Sequence, residues 1–80
     1  MTHTILRLPA ILTSTGLSRS TIYLRIAQGV YTKPVSLGGR AVGWPASEVV
    51  ALNAARISGK SNAEVRDLVV KLEAARKAVE

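Results

Sequence analysis

The apolar residues of this 80-residue chain recur at helical spacing in its first third, alternate with polar residues in the middle, and return to helical spacing toward the C-terminus. Pro9 suits the first turn of a helix, and the segment "PAILTST" is followed by Gly16, a residue type that closes helices in the left-handed conformation. Ser18 is a good N-cap for a second helix within "SRSTIYLRIAQG", which ends near Gly29. Two helices separated by so tight a turn predict a helix-turn-helix.

The predicted second helix has one face for a core and one for a partner. At about 100° per residue, Ile22 and Ile26 share a face, and Leu17 joins them from the turn. The opposite face is small and polar apart from one leucine, and it consists of Ser20, Leu24 and Ala27, flanked by Thr21 and Tyr23. Hydroxyl groups and an apolar side chain suit the major groove of DNA, where they can read base edges and thymine methyl groups. Arg19 and Arg25, at the margins, are placed to reach phosphates.

The middle segment, "KPVSLGGRAVGW", predicts a β-hairpin. Val35 and Leu37 alternate with polar residues, and Gly38 and Gly39 form the expected turn. Arg40 lies at or just after the tip. Because glycines let a turn approach another backbone closely, the tip suits a wing laid along phosphates or into a minor groove. The alternative is a stabilising hairpin with a solvated arginine.

Pro45 opens a third helix, "PASEVVALNAARI", whose apolar residues recur at helical spacing. Glu48 lies in its first turn, where the helix dipole favours an acid. Trp44, just before it, is predicted to pack in the core between the hairpin and this helix. The expected fold class is therefore mainly α with a small β-hairpin, a winged helix-turn-helix over residues 1–58.

A break at residues 59–62 precedes a final amphipathic helix over residues 63–80, for which Ser61 and Glu64 form a capping box. The apolar positions of this helix form a seam of a little over two heptads, consisting of Val65, Leu68, Leu72, Ala75 and Val79. The seam either folds back onto the domain or pairs with a second copy. We favour pairing, and hence a dimerisation element, because the glycine-containing break and the balanced charge of the helix are typical of an appendage.

The positive charge of the chain is concentrated in its first part. Residues 1–60 carry seven Lys and Arg against one acid, Glu48, whereas residues 61–80 carry four basic and four acidic residues, so the net charge of +6 lies before Ser61. Such a distribution favours a polyanion as the partner. No apolar run approaches the roughly 20 residues that span a bilayer, and the start has no basic leader, so we expect a cytoplasmic, nucleoid-associated protein without membrane contact.

The composition offers little for catalysis. With one histidine, His3, and no cysteine, neither an ordinary zinc site nor a disulfide framework can form. No Ser/His/Asp arrangement, paired carboxylates or glycine-rich phosphate loop can be assembled from the remaining residues. We therefore expect no enzymatic activity, no cofactor and no metal.

Four segments, "LRLPAIL", "TGLSRSTIY", "KPVSLGGRAVGW" and "SEV", stand in an order and at gaps that resemble the AlpA family of phage and prophage DNA-binding regulators, over about residues 6–57. The family is similar to excisionases and to the DNA-binding heads of MerR-type regulators. The resemblance implies that the helix after Ser18 enters the major groove and that residues 38–40 act as the wing. The residues carried over are Arg19, Ser20, Thr21, Tyr23 and Leu24 on the helix and Lys33 and Arg40 on the hairpin; Arg25 and Gly39 complete the predicted contact set.

Two positions depart from that family's pattern. Relatives commonly have a basic residue where this chain has Leu24 and an apolar one where it has Arg25, which leaves open which of the two contacts DNA. Thr32 stands where proline is frequent.

Three functions follow from these observations. The first is a sequence-specific transcriptional regulator of a phage, prophage or other mobile element, which binds double-stranded DNA as a homodimer or higher assembly and recruits or blocks RNA polymerase. The second is an excisionase that bends attachment-site DNA for an integrase. The third is a protein-interaction adaptor, which predicts no salt-sensitive binding to duplex DNA.

Overall fold

The computed structural model describes residues 3–78. Over those residues it contains strand β1 (Ile5–Leu6), helices α1 (Leu8–Thr15) and α2 (Arg19–Ala27), strands β2 (Val35–Gly38) and β3 (Ala41–Pro45), helices α3 (Ala46–Ile57) and α4 (Asn62–Ala75), and a 3-10 turn over Arg76–Ala78. This arrangement confirms the predicted fold class, mainly α with a small antiparallel sheet in a winged helix-turn-helix.

The turn between α1 and α2 is built as the residues predict. Gly16 closes α1 with a φ of 71°, and its amide donates to the carbonyl of Leu12 at 2.9 Å. Ser18 caps α2 in an extended conformation, and its Oγ accepts from the backbone amide of Thr21 at 3.3 Å. These local bonds set the direction in which α2 leaves the turn.

The sheet has one strand more than the predicted hairpin. Its order is β1-β3-β2, all antiparallel, with Ile5 opposite Pro45 in the pairing of β1 with β3. A two-residue strand is too short for its alternation to be recognised in the sequence. Gly43 of β3 permits the close approach, because a Cβ placed there would collide with the side chain of Ile5.

The hairpin turn lies one residue later than predicted. Gly38 pairs with Ala41, which leaves Gly39 and Arg40 at the turn. An irregularity in β2 between Ser36 and Gly38 shifts the register by one residue. Because Gly39 has a φ of 56°, the turn uses a conformation that a residue with a Cβ adopts only under strain.

Trp44 is at the centre of the core, as predicted, and is fully buried. Its indole Nε1 donates to the carbonyl of Thr32 at 2.9 Å, which ties β3 to the segment after α2. Burial, and then the charge of Glu48, raise the pKa of the nearby Tyr31 to about 12. The buried apolar core consists of Ile11, Ile22, Val30, Tyr31, Trp44, Val49, Leu52, Ala55, Val65 and Val69.

Helix α4 packs against its own domain. The predicted capping box is present between Ser61 and Glu64, and the helix starts at Asn62, one residue before the predicted bound. Val65 and Val69 are buried in the core, and Leu68 and Leu72 pack against it, so the inward positions are three or four residues apart, the spacing of one helix face.

Within the single chain, α4 therefore has the fold-back arrangement, and pairing with a second copy stays a prediction. Val65 has no surface to offer to a second copy, and Leu68 and Leu72 are half-buried against the same core. Ala75 is exposed, and Val79 lies outside the described residues. The sequence does not reveal that α3 and the core present an apolar surface to α4.

Polar contacts hold α4 in this position. Arg76 forms a two-pronged ion pair with Glu48 of α3, with N···O distances of 2.8 and 2.7 Å, and it also donates to the carbonyl of Lys33. Glu73 accepts from the backbone amide of Lys33 at 2.8 Å, and Arg66 donates to the carbonyl of Gln28 at 3.0 Å. Helix α4 is thus bonded to the segment that joins α2 to the hairpin.

Candidate nucleic-acid interface

Helix α2 has the two faces that its spacing predicts. Ile22 is fully buried, whereas Leu24 is 56% exposed and Tyr23 is 39% exposed. Ser20 is exposed on the same outward side. This outward face carries no charge along its centre, and we call it the reading face, defined by Ser20, Tyr23, Leu24 and Ala27.

The hydroxyl groups at the start of α2 are held by its cap. The Oγ of Ser18 lies 2.9 Å from the Oγ1 of Thr21 and 3.3 Å from the Oγ of Ser20. Thr21 is half-buried at the margin of the reading face. Its hydroxyl is therefore engaged in the cap, while the hydroxyl of Ser20 keeps capacity for a further hydrogen bond.

On one side of the reading face, three arginines from three elements line a single cleft of about 420 Å³. They are Arg7, just before α1, Arg19 of α2 and Arg40 of the hairpin turn, and we call this the three-arginine cleft. The guanidinium of Arg19 lies 5.9 Å from the ring centroid of Tyr23, a cation–π distance that lays Arg19 along the helix. The cleft joins the reading face to the wing.

These arginines have no acidic partner within the described part of the chain. The ion pairs there are Lys60 with Glu64 and Arg76 with Glu48, and both lie outside the cleft. Unpaired guanidinium groups brought together on an exposed surface are suited to bind the oxygens of phosphates.

Arg7 was not among the contacts predicted from the sequence. It reaches the cleft only because β1 pairs with β3 and carries the start of α1 to the wing. A local signal was present, since Arg7 stands between Leu6 and Leu8, both half-buried. That alternation points an arginine outward from a short extended segment.

Leu24 and Arg25 occupy different surfaces. Leu24 is on the reading face, whereas Arg25 is half-buried on the far margin of α2 and lines a second cavity with Asn53 and Arg56 of α3. Arg25 is therefore not part of the three-arginine cleft. Because this chain has leucine at position 24 and arginine at position 25, the reading face carries an apolar side chain there and no charge.

The remaining predicted contacts are on the hairpin. Gly39 and Arg40 are at the exposed turn. Lys33 is exposed, but it does not line the three-arginine cleft, and both its backbone amide and its carbonyl are bonded to α4. The structure thus brings Arg40 beside Arg19 and leaves Lys33 apart from them.

Residues 3–78 contain no group of three or more His, Cys, Asp or Glu side chains that could hold a metal ion. None of the helices described above is long and apolar enough to cross a membrane.

Comparison with known proteins identifies the family. The family described as "Prophage CP4-57 regulatory protein (AlpA)" matches residues 4–56, a range that runs from β1 almost to the end of α3. "Uncharacterized protein ORF88" of Enterobacteria phage P4 is 51% identical over 55 residues, which cover 69% of this chain and 62% of that protein. The match thus spans less than two thirds of that relative's length. Comparison with solved structures gives no significant match. The chain belongs to the AlpA family of prophage regulatory proteins.

Proposed function

We propose that this protein is a sequence-specific DNA-binding regulator of a phage, prophage or related mobile element, with double-stranded DNA as its partner. One observation carries the proposal: the uncharged reading face of α2 is exposed beside three arginines that have no acid among the described residues. A helix with its side chains is about 10–12 Å across, which matches a major groove of about 12 Å.

The two surfaces have different roles in this proposal. On the reading face, the Ser20 hydroxyl and the Tyr23 phenol can exchange hydrogen bonds with base edges, and Leu24 can contact a thymine methyl group. In the three-arginine cleft, Arg7 and Arg40 bind phosphates and set the register of the helix without reading sequence. The turn at Gly39 and Arg40 is narrow enough to follow the backbone or the edge of a minor groove.

Membership of a regulatory family supports this function over that of a protein-interaction adaptor. Regulation of transcription and excision of a mobile element use the same contacts to DNA, so the position of the recognised sequence separates them. A site beside a promoter indicates a regulator that acts on RNA polymerase. A site within an attachment sequence indicates a partner of an integrase.

The test is selection of binding sequences from a random duplex library at about physiological salt, where screening weakens purely electrostatic binding. We expect enrichment of one short element, and repeats of it at helical-turn spacing if several copies bind together. Ser20→Ala is expected to relax the preference at one base pair, and Ser47→Ala, an exposed serine on α3, is the matched control. Absence of both enrichment and salt-dependent binding would contradict the proposal and favour the adaptor.

A further inference from the structure

A second cavity, of about 250 Å³, lies on the other side of α2 from the three-arginine cleft. It is bounded by the C-terminal end of α1, by α2 and by α3. Its lining consists of Thr15, Leu17, Arg25, Val30, Tyr31, Leu52, Asn53 and Arg56. We call it the two-arginine cavity, because Arg25 of α2 and Arg56 of α3 are its charged side chains.

The cavity brings two positive charges together without an acid. Neither Arg25 nor Arg56 forms an ion pair with a described residue. Partial burial, and then the positive charge of Arg25, lower the pKa of the Arg56 guanidinium. Like charges that act on one another in this way favour an anion between them.

Neighbouring side chains orient the polar groups of the cavity. Arg56 donates from one terminal nitrogen to the side-chain oxygen of Asn62 at 3.0 Å, which leaves its other N–H groups available. Asn53 donates to the carbonyl of Ser14 at 3.2 Å and so joins α3 to the end of α1. Arg56 is thereby held on α3 while Arg25 extends from α2.

The position of the cavity relative to α2 indicates what the anion is. A helix in the major groove has a phosphate backbone on each side of it. The edge of α2 that carries Arg19 and Tyr23 faces the three-arginine cleft, and the edge that carries Thr21 and Arg25 faces the two-arginine cavity. If the cleft binds one strand, the cavity lies toward the other.

We propose that Arg25 and Arg56 together bind a phosphate of the second DNA strand, so that α2 is clamped between both backbones. The inference rests on the proposed function and adds to it a contact from α3. Guanidinium groups suit this role because they present several N–H donors in a plane that matches phosphate oxygens. Two contacts on opposite strands also restrict how the helix can tilt in the groove.

The test compares Arg25→Gln and Arg56→Gln with Lys71→Gln in the full chain. Lys71 is an exposed lysine of α4 near Glu64 and Asp67. Its replacement removes the same unit of positive charge as each arginine variant, but at a site where nearby acids balance that charge. Binding to the duplex selected by the wild type is measured over a series of salt concentrations. Replacement of both arginines is expected to reduce the magnitude of the slope of log affinity against log salt by about 0.9, because one phosphate contact is lost, and each single variant should reduce it by part of that amount. Lys71→Gln should keep the wild-type slope.

A second readout locates the contact. Chemical ethylation of single phosphates should interfere with wild-type binding on both strands, and for the arginine variants the interference should disappear from one strand only. Arg25→Lys and Arg56→Lys keep the charge and should restore most of the slope, and unchanged thermal melting of each variant shows that it is folded. Salt slopes and interference patterns equal to those of Lys71→Gln would overturn the inference while leaving the proposed function intact.

Two other outcomes are distinguishable. If the wild type binds no duplex DNA, the proposed function fails and the inference fails with it. If inorganic phosphate, titrated into the free protein and followed by NMR, binds the wild type but not Arg25→Gln while the DNA salt slopes are unchanged, the cavity binds small anions and the clamp is wrong.

Discussion

The arginines of the three-arginine cleft and those of the C-terminal segment differ in what surrounds them. Arg66 of α4 and Arg76 of the following 3-10 turn are bonded to carbonyl or carboxylate oxygens of their own chain. Arg7, Arg19 and Arg40 meet in a cleft without an acid. The same residue type thus stabilises the fold in one region and is left available to a partner in the other.

Glu48 explains how the two regions stay separate. It is the one acid in residues 1–60, and its side chain is 5% exposed and paired with Arg76. Arg76 therefore pairs with the acid that could otherwise neutralise an arginine of the three-arginine cleft. The excess of positive charge before Ser61 is not neutralised at the surface by Glu48, because this carboxylate is buried and paired with Arg76.

The largest expected effect is on stability, from Arg76→Ala. The substitution leaves the Glu48 carboxylate buried without its partner. We expect the free energy of unfolding to fall by roughly 3 kcal/mol, the lower end of the range for a broken buried ion pair, because Arg76 is only partly buried. Urea unfolding followed by circular dichroism measures the loss. Adding Glu48→Gln to this variant should recover part of it, and Lys77→Ala is the exposed control; a loss no larger than that of Lys77→Ala would contradict the role given to the pair.

The next effect concerns the sheet that positions Arg7. Gly43→Ala places a methyl group against Ile5, and we expect a loss of about 1–3 kcal/mol because β1 must shift. Affinity for DNA should fall as well, since Arg7 follows β1. Combination with Ile5→Ala removes the closest contact and should restore part of both properties, because the methyl group still lies 3.0 Å from the carbonyl oxygen of Leu6. Weaker DNA binding at unchanged stability would contradict this explanation.

A smaller effect is expected on binding alone. Arg40→Ala and Arg7→Ala should each weaken binding to every duplex sequence by about tenfold, roughly 1.4 kcal/mol, and reduce the salt slope by about 0.9. Stability should not change, because neither side chain is paired within the described residues. Titrations with the selected duplex and with a scrambled duplex measure both affinities. A loss confined to the selected duplex would assign the arginine to base reading instead.

The smallest effect tests the start of α4. The bonds with Ser61, and then the charge of Lys60, lower the pKa of Glu64. Because the folded value lies below the unfolded one, this stabilisation is present at neutral pH and is lost as pH falls through the folded pKa. Ser61→Ala should cost about 1 kcal/mol at pH 7, the usual contribution of an N-cap. The backbone amide of residue 61 still donates to the Glu64 carboxylate in that variant, so Glu64→Gln tests the pH dependence and should lower stability at pH 7 but change it little in acid. Thermal unfolding at both pH values measures the difference, and an equal cost of Glu64→Gln at both would contradict the contribution of Glu64.

Prediction from the sequence succeeded where neighbours in the chain suffice. The ends of α1 and α2, marked by Gly16 and Ser18, and the capping box at Ser61 follow from bonds that span at most four residues. The two faces of α2 follow from helical spacing, which needs no other element. The candidate site was predicted as far as it lies on α2 and on the hairpin turn.

Prediction failed where distant segments meet. Arg7 joins the cleft through the pairing of β1 with β3, and the inward positions of α4 depend on the apolar surface that the rest of the domain presents to Val65 and Val69. No periodicity within α4 distinguishes a seam for a second copy from a stripe for its own core, because both require apolar residues at nearly the same spacing.

The sequence by itself determined the helix ends, the exposed face of α2 and the excess of positive charge before Ser61, because caps, periodicity and composition are properties of adjacent residues. The tertiary structure alone decided that Arg7, Arg19 and Arg40 share a cleft, that Arg25 joins Arg56, and that Glu48 is paired 28 residues away with Arg76. Each of these depends on which distant surfaces pack together, and packing is settled by the burial of the whole core.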